Sequence, residues 1–140
     1  MGQFQQAGDL MVSSADREAI IATSLDYIVG WYSGDAARMK HCLHPEMVKR
    51  AVLQKEGAGL WRLSTARSAE DMVAFTAEGG GSDVPEPRRE NEVTILDTHR
   101  RTASVKVVSH EYVDYLHLGK VVEGWKIVNV LWEPLEDMGE

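Results

Sequence analysis

Cysteine occurs once in these 140 residues, as Cys42. No internal disulfide can form, and a reducing compartment, the cytoplasm, is the expected location. The first fifteen residues hold neither a basic n-region nor an apolar stretch of signal-peptide length, so a secretory leader is not expected. No segment is long and apolar enough to suggest a membrane span. Positive charge is also scarce, with 15 Lys and Arg against 22 Asp and Glu and a net charge of -7. Such a chain repels phosphate backbones and anionic lipid, which argues against nucleic-acid and membrane partners. The basic pairs Lys49-Arg50, Arg88-Arg89 and Arg100-Arg101 are scattered and read as solvated charge. Phosphate loops, nucleophile elbows and dinucleotide fingerprints are missing, as are repeats and low-complexity tracts.

What is present is an ordinary globular balance, 44% apolar and 26% charged. At this length one domain buries about two thirds of its unfolded surface unaided. The expected division is a flexible arm over 1–14, one domain over 15–134 and an acidic tail over 135–140.

Ser13 or Ser14 can cap a first helix, with Asp16 and Glu18 in its first turn and a stripe of Ile21, Leu25, Ile28 and Tyr32 flanked by Ile20, Tyr27 and Trp31. Gly34 ends it. Asp35 then caps a short helix through Cys42, which Pro45 forbids from continuing, and His44-Pro45-Glu46 reads as a turn. Extended pieces are expected over Met47–Leu53 and Leu60–Leu63, around Gly57-Ala58-Gly59. Ser68 and Asp71 form a capping-box pattern that opens a third helix, closed by Gly79-Gly80-Gly81. The stretch from Ser82 to Pro87 reads as a loop that could rim or cover a pocket.

Four strands complete the chain, Glu92–Asp97, Thr102–Val108, Tyr112–Lys120 and Gly124–Trp132, joined tightly enough to be antiparallel. Helices first and a meander afterwards is the α+β pattern: a cone-shaped, curved antiparallel β-sheet wrapped around three N-terminal helices. In the last strand Trp125, Ile127 and Leu131 alternate with Val128, Val130 and Trp132, so both faces read as apolar. A two-sided strand needs two covers, helices inside and a second copy of the chain outside.

The order helix, Gly34-Asp35, short helix, His44-Pro45-Glu46, strand, helix and meander, with Asp114-Tyr115-Leu116-His117-Leu118 and Gly124-Trp125-Lys126-Ile127-Val128-Asn129, resembles the nuclear-transport-factor-2-like superfamily over residues 15 to 134. The two motifs look like its lumazine-binding-like, polyketide-cyclase-like branch. The resemblance implies the cone fold and an internal pocket. It does not imply one chemistry, because the superfamily spans steroid isomerases, dehydratases, cyclases and pure binding modules.

Asp114 shares its strand face with Tyr112, Leu116 and Leu118, so its carboxyl is expected to be desolvated, and it is a candidate acid or base. A structural carboxyl satisfying a buried partner is the competing reading. Tyr27 falls where the resemblance places the oxyanion-donating tyrosine of steroid isomerases. In the same comparison the two isomerase acids fall on Ala51 and near Leu116, which disfavours that reaction. Tyr27, Trp31, Trp61, Tyr112, Asp114, Leu116 and Trp132 are the expected ligand-binding residues. His41, Cys42, His44 and Glu46 lack convergent zinc-ligand spacing, so no metal and no cofactor is expected. His117 is expected on the outer face and His110 at a reversal.

The expected function is binding of a small planar organic ligand in an apolar pocket by a homodimer joined through its outer sheet face. An isomerase, dehydratase or cyclase using Asp114 and Tyr27 is the first alternative. A dimeric interaction module with a filled pocket is the second.

Overall fold

A computed structural model describes residues 12–54 and 59–136. Helix α1 spans Ser14–Ser33, α2 Ala36–Cys42 and α3 Ala69–Ala77; the strands are β1 Leu43–Gln54, β2 Trp61–Leu63, β3 Arg67–Ser68, β4 Asn91–His99, β5 Thr102–Ser109, β6 Tyr112–Val121 and β7 Gly124–Pro134. A short 3₁₀ turn over Glu86–Arg88 precedes β4. Among the described residues, three helices lie against an open, curved sheet, the α+β cone.

Local chemistry sets the helix ends. Ser13 caps α1 by accepting from the Asp16 N–H, and Gly34 closes it at φ 65°, a left-handed conformation that disfavours other residues. Asp35 caps α2 through the Arg38 N–H. Ser68 and Asp71 complete a reciprocal capping box on α3. The buried line of α1 is Ile20, Ser24, Tyr27 and Ile28, whereas Ile21 is 39% exposed. The helix is thus rotated about one residue from the stripe expected from apolar spacing. Ser24 makes this possible, because its hydroxyl donates to the Ile20 carbonyl at 2.9 Å and needs no other partner.

Packing begins before the expected boundary at residue 15, since Val12 is buried in the core. Residues 1–11 of the expected arm, 137–140 of the expected tail, and Gly57-Ala58 lie outside the described residues.

The strand order is β2-β1-β7-β6-β5-β4, with β3 also on β1. β4 to β7 form the expected meander, but β1 lies parallel to β7, so the sheet is mixed rather than antiparallel throughout. No hairpin joins those two strands, and their relative direction is set by the long path between them. His44-Pro45-Glu46 is not a turn but the irregular start of β1. The register against β7 shifts between Leu43 and Val48, where Pro45 cannot donate.

β7 corrects the two-sided reading. His117 pairs with Asn129 and Leu118 with Ile127, leaving Val128 as an extra residue. This bulge reverses the parity of the residues beyond it. Trp125 and Ile127 before it and Val130 and Trp132 after it therefore all turn toward the helices, while Val128 (37% exposed) and Leu131 (41%) turn outward. Both apolar sets are real, yet one strand face holds most of both. On the outside Tyr115 and Leu131 are register partners.

The core lies between α1 and the inner faces of β1, β5, β6 and β7, centred on Ile20, Met39, Met47, Val105, Leu116 and Ile127. Burying a side chain of this size contributes about 1.5–3 kcal/mol each. No described helix is long and apolar enough to cross a membrane.

Candidate functional site

At one end of this core the packing opens into a cavity of about 180 Å³. For scale, an engineered apolar cavity of about 150 Å³ holds benzene. Its walls come from α1 (Tyr27, Ile28, Trp31), β1 (Lys49), α3 (Met72, Phe75) with Arg67 before it, the β5–β6 hairpin (Ser109, Tyr112, Asp114) and β7 (Trp132). The lining is mostly apolar and aromatic, the usual make-up of a ligand site.

Its polar floor is a three-residue array. Tyr27 Oη donates to Asp114 Oδ2 at 2.7 Å. Lys49 Nζ donates to the same Tyr27 oxygen at 2.6 Å and lies 3.9 Å from Asp114 Oδ2. The rings of Tyr27, Trp31 and Trp132 lie 5.0, 5.8 and 5.8 Å from Nζ, forming an aromatic collar. Only 15% of the Lys49 side chain and 8% of the Asp114 side chain reach solvent.

Burial dominates the electrostatics. It pushes the Asp114 carboxyl above its usual value, against the opposing pull of Lys49 and the Tyr27 hydrogen bond. It pushes the Lys49 ammonium below its usual value, against the attraction of Asp114. Burial and the adjacent carboxylate hold the Tyr27 phenol well above the ordinary tyrosine range, so Tyr27 is a proton donor rather than a phenolate.

Of the residues singled out in the sequence, Tyr27, Trp31, Tyr112, Asp114 and Trp132 stand around this cavity. Tyr112 packs edge-on to Trp132 with ring centres 4.9 Å apart. Trp61 is elsewhere, 47% exposed on the edge strand β2, and Leu116 is sealed in the core beneath the cavity floor. Ala51, also fully buried, supplies no acid. Lys49 and Arg67 join the site without a signal in the sequence. Lys49 reads there as half of a solvated pair, but β1 alternation puts it on the face of Met47 and Ala51. Arg67 stands at the wall with its guanidinium 5.4 Å from the Phe75 ring centre.

The other candidates do not join the site. Cys42 is buried, donates to the Met39 carbonyl, and has its thiol pushed up to about 12 by desolvation. Among the described residues no group of three or more His, Cys, Asp and Glu could hold a metal ion. His117 faces outward beside Asn129, 3.3 Å away. His110 is half-buried, its N–H donating to Tyr32 Oη.

The loop after α3 builds a second wall. Gly81 donates to the Trp31 carbonyl at 2.8 Å, and a Cβ added at Gly81 would lie 2.8 Å from the Trp31 ring. Arg89 fastens the loop through the carbonyls of Ser82 and Val84. Trp31 is thereby held between this loop and the cavity.

Comparison with known proteins agrees with the architecture. A family model described as "Putative lumazine-binding" matches residues 15–133. No curated protein matches. Among solved structures, an NTF2-like protein of unknown function from Methylobacillus flagellatus KT shares 19% identity at TM-score 0.67, over 89% of this chain and 96% of that one. One from Silicibacter pomeroyi DSS-3, also of unknown function, shares 17% at TM-score 0.63, over 89% and 99%. An NTF2-like protein with a cystatin-like fold from Novosphingobium aromaticivorans shares 15% at TM-score 0.64, over 89% and 85%. At such identities the likeness is one of fold. The chain belongs to the family described as "Putative lumazine-binding", and its fold is that of the NTF2-like structures.

Proposed function

We propose that this protein binds a small, largely planar organic molecule in the cavity between its helices and sheet. The observation that carries the reading is an apolar cavity whose aromatic walls, Trp31, Tyr112 and Trp132, surround one compact polar array. Flat rings stack on such walls, while Lys49, Tyr27 and Asp114 offer donors and an acceptor to a ligand oxygen or ring nitrogen. The family description, which names lumazine binding, supports a fused planar heterocycle. Tryptophan fluorescence and thermal shift against flavin precursors, steroids and polyketide-like rings test the reading. A ligand present at about 100 times its Kd stabilises by roughly 2.7 kcal/mol. Silence across the whole set sinks it.

A second reading, an isomerase, dehydratase or cyclase, is favoured by the 2.7 Å contact between Tyr27 and Asp114, which puts both within reach of one reacting group. Asp114 is then the acid or base and Tyr27 the donor. Exchange of α-protons of a bound ring ketone for deuterium, abolished in Asp114→Asn, tests it; equal exchange in the variant excludes that role. The cavity of about 180 Å³ favours a ligand over the filled-pocket interaction module.

We also propose a homodimer through the outer sheet face, supported by the exposed apolar side chains of Tyr115, Val128 and Leu131.

A further inference from the structure

Lys49 is the lysine of the cavity wall, and its surroundings differ from those of a simple ion pair. Tyr27 Oη is at once the acceptor for Lys49 Nζ and the donor to Asp114 Oδ2. Two short hydrogen bonds through one oxygen form a relay. A proton passed from Nζ to Oη, with the Tyr27 proton passed on to Asp114, converts ammonium and carboxylate into amine and carboxylic acid. Net charge is unchanged. Burial favours the neutral form of each partner, and a ligand that displaces water from the cavity pushes the same way.

Resting on the binding reading, we propose that Lys49 captures an aldehyde or ketone carbonyl of the planar ligand as an imine. The Nζ lone pair attacks the carbonyl carbon, a C–N bond forms as the C=O π bond breaks, and one Nζ proton moves to the oxygen to give a neutral carbinolamine. Its hydroxyl then leaves as water with a proton supplied by Asp114 through Tyr27, and the C=N bond forms as a protonated imine facing the Asp114 carboxylate. The balance is amine, carbonyl and carboxylic acid giving protonated imine, carboxylate and one water, with no oxidant or reductant. The geometry supplies each requirement: an amine at the wall of an open cavity, a proton relay 2.6 Å from it, and an aromatic collar that stacks the ligand ring and limits hydrolysis.

The test uses the full chain, 2-naphthaldehyde and sodium cyanoborohydride, with intact-mass and peptide mapping. In parallel, 2-naphthylmethanol, which has the ring but no carbonyl, is titrated by tryptophan fluorescence. The expected result is one reduced adduct, on Lys49, formed faster than on Lys40 or Lys106, because burial favours the free amine and the Tyr27 oxygen 2.6 Å away takes its proton. In Tyr27→Phe the adduct forms roughly tenfold or more slowly, because the relay donor is gone. If the alcohol quenches fluorescence but Lys49 stays unlabelled or reacts no faster than Lys40 or Lys106, imine capture is wrong and binding stands. If neither probe engages the cavity, both fall.

Discussion

Tyr27 and Asp114 meet across a 2.7 Å hydrogen bond although 87 residues separate them, and that bond ties the first helix to the middle of the meander. Lys49, from β1, closes the array. Three elements thus converge on one polar point inside an apolar wall, and the energetics of that point can be measured directly.

Removing one charge strands the other. Lys49→Met or Asp114→Asn alone should cost about 3 kcal/mol each, since a buried charge loses its partner. The double variant should lose clearly less than the sum, as expected for coupled sites. Urea unfolding of the four proteins completes the cycle, and simple additivity would show that the two groups do not interact.

The same pair sets a pH signature. A carboxyl whose pKa is raised on folding gives stability that is fully present below its unfolded value, 3.8, and is lost as pH rises through the folded value. In Lys49→Met the opposing cation is absent, so Asp114 is raised further. The stability gap between this variant and the wild type should therefore widen from pH 4 to pH 8. A gap that stays constant would mean Asp114 keeps its charge without Lys49.

Glycine is required beside Trp31. A Cβ at Gly80 would lie 2.5 Å from the Trp31 carbonyl oxygen, and Gly80 sits at φ 51°. Gly81→Ala instead meets the indole at 2.8 Å and must push it toward the cavity. Both should destabilise, by about 1–3 kcal/mol for overpacking, with Gly80→Ala the worse because backbone cannot yield. Thermal unfolding with Trp31 fluorescence checks both the loss and the displacement. Unchanged spectra would contradict the wall described.

Cys42 reports global opening. Its thiol is raised from 9.0 to about 12 by burial, so the folded chain retains a proton that the unfolded chain releases above pH 9. Stability from this group is full below pH 9 and falls as pH climbs toward 12, and Cys42→Ala should flatten that decline. Alkylation by iodoacetamide at pH 8.5 should be slow in the native chain and fast in urea; prompt native labelling would place the thiol outside the core.

Outward residues should matter only to assembly. Leu131→Glu with Tyr115→Glu should change monomer stability little, because both side chains are about 41% exposed. Light scattering coupled to size exclusion should show a dimer for the wild type and a monomer for the variant. A wild-type monomer at micromolar concentration would remove the dimer proposal.

The parts of the fold legible in sequence are those governed by local chemistry. The caps at Ser13, Asp35 and Ser68 and the stop at Gly34 come from side-chain hydrogen bonds and one left-handed residue. Strict alternation in β6 puts Asp114 on the inner face with Leu116 and Leu118, where the structure has it. The misplacements arise where a longer-range feature intervenes. The extra residue at Val128 is a register event between two strands, invisible in either strand alone. Lys49 escapes because β1 carries apolar residues on both parities, Met47 and Ala51 against Val48 and Val52, so alternation does not say which face is inward. Residue type alone assigns Trp61 to the site, but β2 is an edge strand that leaves its ring in solvent.

The four tryptophans offer the most direct trial of the binding claim. Trp31 and Trp132 line the cavity, Trp61 is on the edge strand, and the Trp125 indole is held remotely by Asp16 at 3.0 Å. Titrating a planar heterocycle while following the four indole N–H signals by NMR should shift Trp31 and Trp132 and leave Trp61 and Trp125 in place. Shifts confined to Trp61, or none with any planar ligand, would contradict it.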